Sequence, residues 1–212
     1  MSFYSNIARP VLFSLPPEKS QHLAELLLQQ SLLWKAASKL FSFEDEILHT
    51  ELAGLKLRNP IGLAAGFDKN IQFLSSMEHL GFGYVIGGTI TKEPRPGNPS
   101  PRLLRSRKDK SLINSMGFPG EGLQAAAKRL QNLPVSPSAI RIVSISGTTI
   151  EDIVTCQTTI QTLCSAIEVN ISSPNTAGLR IFQEKTHLLK LLEALNQNKK
   201  VPIFVKFPPF ID

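Results

Sequence analysis

The residues best suited to chemistry lie in the segment 169–176, Val-Asn-Ile-Ser-Ser-Pro-Asn-Thr. This segment follows a run, 166–169, that is interpreted as apolar, and Asn, Ser and Pro favour turns. The pattern therefore predicts a buried strand with a polar loop at its carboxyl end, where α/β proteins place their sites. Asparagine amides both donate and accept hydrogen bonds. Asn170, Ser173 and Asn175 are accordingly candidate site residues, suited to a planar ligand with amide and carbonyl edges, such as a pyrimidine.

Two glycine-containing segments end other predicted strands. Residues 62–70 are Gly-Leu-Ala-Ala-Gly-Phe-Asp-Lys-Asn, and residues 87–89 are Gly-Gly-Thr. Small residues remove side-chain bulk, so a flat ligand can lie against the backbone there. The Lys69 ammonium and the Thr89 hydroxyl would stand next to it. A tight turn between strand and helix, with a lysine on the surface, explains residues 62–70 equally well.

Asn114 and Lys206 complete the candidates found from local pattern. Asn114 lies within 111–118, Ser-Leu-Ile-Asn-Ser-Met-Gly-Phe. This pattern suits a loop folded over a ligand, although an Asx turn beside a buried phenylalanine is its commoner cause. Lys206 lies in the run 205–207 at the end of a strand and adds a second cation, of the kind that stabilises negative charge on a flavin ring. Ser173 has no G-x-S-x-G sequence around it, which argues against an α/β-hydrolase.

The elements that position these residues alternate along the chain from residue 59 onward. Such alternation predicts parallel strands joined by right-handed crossovers. The strands are predicted at 61–65, 84–87, 140–145, 166–171 and 202–207, and the helices at 71–80, 121–130, 150–163 and 183–196. Residues 49–58 alternate around Gly54 and predict a β-hairpin, and the Pro- and Gly-rich stretch 92–120 predicts a long loop.

Five such units fit two architectures, a doubly wound open sheet and part of a (β/α)8 barrel. A complete barrel typically takes about 250 residues, whereas the chain has 212 in all. Length and periodicity alone therefore favour the open five-stranded sheet.

Residues 1–43 are predicted to form a separate helical region. Pro16, Pro17 and Glu18 suit a helix start. Leucines at helical spacing around Trp34 predict two short helices with wide apolar faces. Packing against the main domain explains these faces most simply. Contact with membrane lipid is the alternative, because lysines lie close to them.

The overall composition is that of an ordinary globular protein, with 42% hydrophobic and 19% charged residues. A net charge of +6 permits an anionic partner, but no run of Lys and Arg is long enough for a nucleic-acid patch. The densest basic cluster, within 102–110, is expected to be a solvated loop. Neither the four histidines nor the two cysteines have metal-ligand spacing, so no metal site is expected.

Five ordered motifs together resemble dihydroorotate dehydrogenase, in its membrane-associated, quinone-dependent form (class 2). They are 59–69 (Asn-Pro-Ile-Gly-Leu-Ala-Ala-Gly-Phe-Asp-Lys), 88–89 (Gly-Thr), 94–98 (Pro-Arg-Pro-Gly-Asn), 114–118 and 170–176. The resemblance covers essentially the whole chain. It implies a (β/α)8 TIM-type barrel that binds flavin mononucleotide (FMN), in place of the open sheet. Only about the first five βα units are expected, so residues 44–212 would be an incomplete barrel behind the helical extension 1–43.

The resemblance also implies a role for each matched residue. The residues that would contact FMN are Ala65, Gly66, Lys69, Thr89, Asn170 and Lys206. Those that would hold the substrate are Lys69, Asn114, Ser115, Met116, Gly117, Phe118, Asn170 and Asn175. Ser173 would be the catalytic base, and the soluble class 1 enzymes carry a cysteine there. Class 2 members usually place an FMN-contacting asparagine where this chain has Ile145.

The implied reaction is the oxidation of (S)-dihydroorotate to orotate in pyrimidine (UMP) biosynthesis, with FMN as hydride acceptor and a quinone as electron acceptor. The resemblance further implies peripheral contact with the cytoplasmic face of the cell membrane, and neither nucleic acid nor metal as a partner. Strands six to eight of the barrel, with their phosphate-binding loops, are expected to be missing. An inactive remnant of such an enzyme and another FMN-dependent pyrimidine oxidoreductase are the alternatives.

Overall fold

The structure is a computed structural model, which describes residues 4–106, 108–134, 140–174, 176 and 178–209. The strands in this part of the chain are β1 (Thr50–Leu52), β2 (Leu55–Leu57), β3 (Gly62–Leu63), β4 (Tyr84–Ile90), β5 (Leu103–Ser106), β6 (Ser111–Asn114), β7 (Ile140–Ile145), β8 (Ala166–Asn170) and β9 (Ile203–Lys206). The α-helices are α1 (Arg9–Ser14), α2 (Pro17–Leu28), α3 (Ser31–Phe41), α4 (Leu74–Glu78), α5 (Gly122–Asn132), α6 (Ile150–Ile160) and α7 (Lys185–Gln197). Tyr4–Ala8 is π-helical, and Glu46–Leu48 and Leu179–Gln183 are 3-10 turns.

Five parallel strands form the central sheet in the order β3-β4-β7-β8-β9. A doubly wound sheet reverses its strand order at a switch point, whereas these strands follow one another in chain order, as they do around a (β/α)8 barrel. The predicted α/β class and partial barrel are therefore confirmed, and the open sheet that length favoured is wrong.

The two faces of the sheet are covered by different elements. Helices α4 to α7 pack on one face, where the main hydrophobic core includes Val143, Val169, Ile153 and Leu191. The opposite face is the concave one, and a smaller cluster of Ile86, Ile142 and Ala166 lies there with Leu55 of the hairpin β1–β2 packed against it. The hairpin was predicted, and it covers the end of the sheet away from the polar loops.

Local hydrogen bonds explain why some elements are shorter than predicted. The Asp68 carboxylate accepts the backbone N–H groups of Gln72 and Phe73, at 2.8 and 3.0 Å. These bonds hold the chain in a turn, so α4 begins only at Leu74. Strand β4 instead runs past the predicted end at residue 87 to Ile90, which places Thr89 beside the site and Ile90 in the main hydrophobic core.

The long loop predicted at 92–120 contains regular structure that was not expected. Strands β5 and β6 form an antiparallel hairpin within it, with Leu103 opposite Asn114 and Ser106 opposite Ser111. The two short strands, Leu-Leu-Arg-Ser and Ser-Leu-Ile-Asn, do not alternate apolar and polar residues, so their sequence pattern does not identify them.

Two arginines of the basic cluster are not the solvated side chains that were expected. Arg102 Nε donates to the Glu18 carboxylate at 2.6 Å. Arg105 donates to the carbonyl of Leu15 at 3.0 Å, and its guanidinium lies 4.5 Å from the centre of the Phe13 ring. These contacts tie the hairpin β5–β6 to helices α1 and α2. Within the described residues, no helix has the length and apolar character that a membrane crossing requires.

Candidate functional site

A cavity of about 650 Å³ opens at the carboxyl ends of β3, β4, β8 and β9. This volume lies within the range of roughly 300–1,000 Å³ that is usual for ligand and cofactor sites. The wall nearest the sheet includes Ala65, Gly66, Lys69, Thr89, Asn170, Ser173 and Lys206. The opposite wall comes from the N-terminal helices and the hairpin, and includes Leu12, Phe13, Ser20, Leu103, Arg105 and Leu112.

The cavity brings together most of the residues proposed from the sequence. Asn114, Met116, Gly117 and Phe118 line it in addition to the seven residues of the wall nearest the sheet. Ser115 is not among its lining residues; its N–H donates to the Arg102 carbonyl and its own carbonyl accepts the Asn98 side-chain amide. Asn175 lies outside the described residues. The individual roles of all these residues remain predictions.

Bare backbone forms part of the cavity wall at Gly66. This glycine has φ of +100°, and a Cβ added to it would meet no atom within 4 Å, so it would project into open space. Gly88 is constrained for a different reason: with φ of +112°, its Cβ would lie 2.4 Å from the Ser144 carbonyl oxygen. Gly66 N–H donates to the Gly88 carbonyl at 2.7 Å and fixes one loop against the other. A flat ligand can therefore lie directly on Gly66.

Lys69 follows this glycine loop and lies half-buried in the cavity wall. Burial lowers the pKa of the Lys69 ammonium, and the nearby Glu25 carboxylate opposes that shift. A charged amine in a desolvated wall favours an anionic partner, because the partner replaces the lost hydration. Asp68 precedes it, and burial raises the pKa of that carboxyl even though backbone N–H groups stabilise its charged form.

A row of polar side chains crosses the concave face of four neighbouring strands. Asn170 Nδ2 donates to Thr89 Oγ1 at 2.9 Å, and Thr89 Oγ1 lies 2.9 Å from Ser144 Oγ. Ser144 Oγ donates to Glu168 Oε1 at 2.7 Å, and Lys206 Nζ lies 3.0 Å from the same oxygen. The row exists because side chains two apart on a strand share a face.

Glu168 and Ser144 are the members of this row that the sequence interpretation missed, and Glu168 is the charged one. The run 166–169 was treated as apolar, yet it contains an acidic residue that is buried on the concave face. A single carboxylate inside an otherwise apolar strand is a detectable signal, because a buried charge requires a partner. The partner, Lys206, was already among the candidates.

Ser173 lies in the loop after β8, and its hydroxyl is 3.3 Å from Thr176 Oγ1. Two bonds hold the start of this loop: Ser146 Oγ donates to the Asn170 carbonyl at 2.7 Å, and Gln183 Nε2 donates to the Ile171 carbonyl at 3.0 Å. The serine hydroxyl is thus held in the cavity wall beside a buried threonine.

Ile145 is fully buried and belongs to the main core, among the residues that pack with the helices. The serines on either side of it, Ser144 and Ser146, hydrogen-bond to the β8 residues Glu168 and Asn170. Position 145 therefore supplies an apolar contact to the core and no polar group to the cavity.

Comparison with known proteins gives a consistent result. The family model for dihydroorotate dehydrogenase matches residues 47–212. A dihydroorotate dehydrogenase (quinone) from Bartonella henselae is 40% identical over 99% of this chain. The protein of that name from Mycolicibacterium smegmatis is 37% identical over 96% of it. The chain spans about 60% of the length of these relatives.

Solved structures show the same fold. The crystal structure of DHODH from Eimeria tenella in complex with ferulenol superposes with a TM-score of 0.74 at 29% sequence identity. The match covers 88% of this chain and 58% of that one. The ligand-free structure from the same organism gives the same TM-score and covers 62% of that chain.

Proposed function

Because the chain belongs to the dihydroorotate dehydrogenase family, we propose that it acts in the oxidation of (S)-dihydroorotate to orotate during pyrimidine biosynthesis. The observation that carries this proposal is the cavity at the strand ends, which collects two lysines, two asparagines and Ser173 around bare backbone. We propose FMN as the cofactor, which supplies a two-electron acceptor when bound, and a quinone as the final electron acceptor.

The residues present fit the ring portion of FMN. Gly66 leaves backbone open to a flat ring, and Thr89, Asn170 and Lys206 offer polar groups along one side of it. In TIM barrels the phosphate is commonly held by the loops after strands seven and eight. The sheet in the described residues has five strands, so these residues account for the ring and not for the phosphate.

Dihydroorotate is a carboxylate with an amide-rich ring, and the cavity offers complementary groups. The Lys69 ammonium would offset the carboxylate, at a position where burial removes competing water. The Asn114 and Asn170 amides would bond the ring edges and orient it, which lowers the entropic cost of reaching the reactive geometry. Gly117 and Phe118 would complete the wall over the substrate.

Ser173 is proposed to remove the proton from C5 of the substrate. A serine hydroxyl is a weak base at neutral pH, so it must pass its own proton on. Thr176 Oγ1, buried and 3.3 Å from Ser173 Oγ, suits the first step of such a relay. The N-terminal helices across the cavity would exclude bulk water from this exchange.

We further propose that the N-terminal helices bind the cytoplasmic face of the cell membrane peripherally and admit the quinone. The support is the apolar surface of α2 and α3, where Leu27, Leu32, Leu33 and Leu40 are exposed. An amphipathic helix that lies in the lipid interface presents such a face. The cavity continues to residues of α1 and α2 such as Phe13 and Ser20, which gives a path from this surface to the site.

The visible absorption spectrum of the purified 212-residue chain tests the proposal. A flavin band near-stoichiometric with protein, bleached by dihydroorotate, is the expected result. A colourless chain that takes up no added FMN would instead indicate an inactive remnant. Bleaching by dihydrouracil and not by dihydroorotate would indicate a different FMN-dependent pyrimidine oxidoreductase.

A further inference from the structure

Glu168 places a negative charge directly behind the cation that faces the candidate cofactor position. Its side chain is 10% exposed and that of Lys206 is 37% exposed, and Glu168 Oε1 lies 3.0 Å from Lys206 Nζ. The two residues stand on neighbouring strands, β8 and β9, whose register pairs Glu168 with Phe204 and Asn170 with Lys206. Lys206 lines the cavity, and Glu168 lies deeper in the concave face, outside the cavity lining.

The carboxylate is itself held in one geometry. Ser144 Oγ donates to the same oxygen, Oε1, at 2.7 Å, and Ser144 lies directly opposite Glu168 in the β7–β8 register. Thr89 and Asn170 continue the chain of hydrogen bonds to the cavity wall. A buried carboxylate that has both a hydroxyl donor and an ammonium partner is held in place, because loss of the ammonium would leave an uncompensated charge and loss of the hydroxyl an unsatisfied acceptor.

We propose that Glu168 is a positioning residue that holds the Lys206 ammonium at the floor of the cavity and cancels its charge toward a bound flavin. The inference rests on the FMN binding proposed above. A lone lysine beside the ring would favour the reduced cofactor, because reduction adds negative charge. A lysine that is paired with a buried carboxylate presents a neutral unit instead. The pair therefore sets the flavin midpoint potential lower than Lys206 alone would.

The midpoint potential of the FMN-loaded chain gives the first test. Glu168→Gln keeps the side-chain shape and leaves Lys206 unpaired, and we expect a potential about 30 mV more positive, which is a tenfold change for a two-electron couple. Lys206→Met should move the potential in the opposite direction. The double variant should return near the wild-type value, because both it and the wild-type pair are neutral. Glu193→Gln, the same change at an exposed position on α7, should leave the potential unchanged.

If Glu168 only stabilised the fold, Glu168→Gln and Lys206→Met would not shift the midpoint potential in opposite directions. The two shifts would also not cancel in the double variant. Shifts of the same sign in the two single variants, or no shift in either, would overturn the inference.

A second measurement uses the cofactor-free chain and is independent of FMN binding. Limited acetylation at mildly alkaline pH, followed by peptide mass spectrometry, reports how freely each lysine amine can react. Glu168→Gln should raise the labelling rate of Lys206 by about threefold or more, because the amine is released from its 3.0 Å contact with the carboxylate, and should leave that of Lys56 unchanged. If the wild-type chain binds no FMN, the proposed function fails while this measurement still decides the inference. Equal labelling of Lys206 in both proteins would refute the pairing.

Discussion

The hydroxyl of Ser173 offers a direct test of the proposed chemistry at the scale of one residue. Ser173→Ala should leave FMN bound, because this hydroxyl is not among the groups proposed to contact the cofactor. It should slow flavin reduction by dihydroorotate at least about a hundredfold, the usual cost of losing a general base. Rapid-mixing absorbance measures this rate.

The matched control for that experiment is Thr158→Ala, which removes a hydroxyl that donates to the Val154 carbonyl within α6. Thr158 is exposed and is not part of the cavity lining. A rate in Ser173→Ala that equals the rate in the control would remove Ser173 from the role of base.

Lys69 couples the site to stability through its lowered pKa. The relevant pH window lies between the lowered pKa of the folded chain and 10.5, the ordinary pKa of a lysine in the unfolded chain. Within this window the unfolded state binds more protons than the folded state, so the free energy of unfolding rises with pH. Below this window Lys69 is protonated in both states, and the folded chain is destabilised by the full cost of desolvating its ammonium group. Lys69→Met should therefore stabilise the chain at pH 7, flatten this rise and weaken orotate binding.

Urea unfolding at neutral and alkaline pH measures the effect, with Lys56→Met, at an exposed position on β2, as the control. A Lys69→Met chain less stable than wild type at pH 7 would contradict the burial argument.

At the scale of elements, the exposed leucines of α3 should decide membrane contact. Leu32 and Leu40 are 82% and 83% exposed, and a fully buried leucine contributes about 1.5–3 kcal/mol. Replacing both with serine should reduce binding to vesicles that contain anionic phospholipid by at least about tenfold. Vesicle co-sedimentation measures the bound fraction.

Leu189→Ser on α7 provides the comparison, since this leucine is 49% exposed but lies outside the N-terminal helices. Equal binding by the double variant and this control would exclude α3 as the contact.

Sequence pattern predicted the elements that depend on local periodicity and missed those that depend on distant partners. Strands β7 and β8 and helix α7 appear where apolar spacing placed them. The hairpin β5–β6 was missed because Arg102 and Arg105 stabilise it through Glu18, Leu15 and the Phe13 ring, more than 80 residues away. The same holds for the site. The motifs at the strand ends predicted most of the residues that line the cavity, whereas Glu168 could be found only by knowing that β9, which carries Lys206, lies beside β8.

At the scale of the whole molecule, β9 is an edge of the five-stranded sheet. The carbonyls of Pro202 and Lys206 accept bonds from β8, so the N–H and C=O of Val205 point away from the sheet, following the alternation along a strand. Such an edge is a template for pairing with another chain. The 212-residue chain should self-associate as concentration rises, and Val205→Pro, which removes an outward donor, should lower that tendency.

Sedimentation velocity over a range of concentrations measures this effect. Val205→Ala retains the N–H and is the control, and far-UV circular dichroism verifies that both variants fold. Identical association of the proline and alanine variants would show that the β9 edge is not the contact.

The architecture itself could not be decided from periodicity, because five βα units fit a doubly wound sheet and a partial barrel alike. The difference lies in strand order, which depends on how each crossover packs and leaves no mark on local pattern. The motifs at the strand ends indicated a barrel only because they resemble those of a known family.

The two walls of the cavity also differ in their chemistry. The wall nearest the sheet carries the ammonium groups of Lys69 and Lys206 and the Asn170 amide, whereas Leu12, Phe13, Leu103 and Leu112 make the opposite wall largely apolar. A compound confined to the first wall would gain its affinity from charge and hydrogen bonds. A longer compound that extends between α1, α2 and the hairpin would add apolar contacts that the first wall cannot supply.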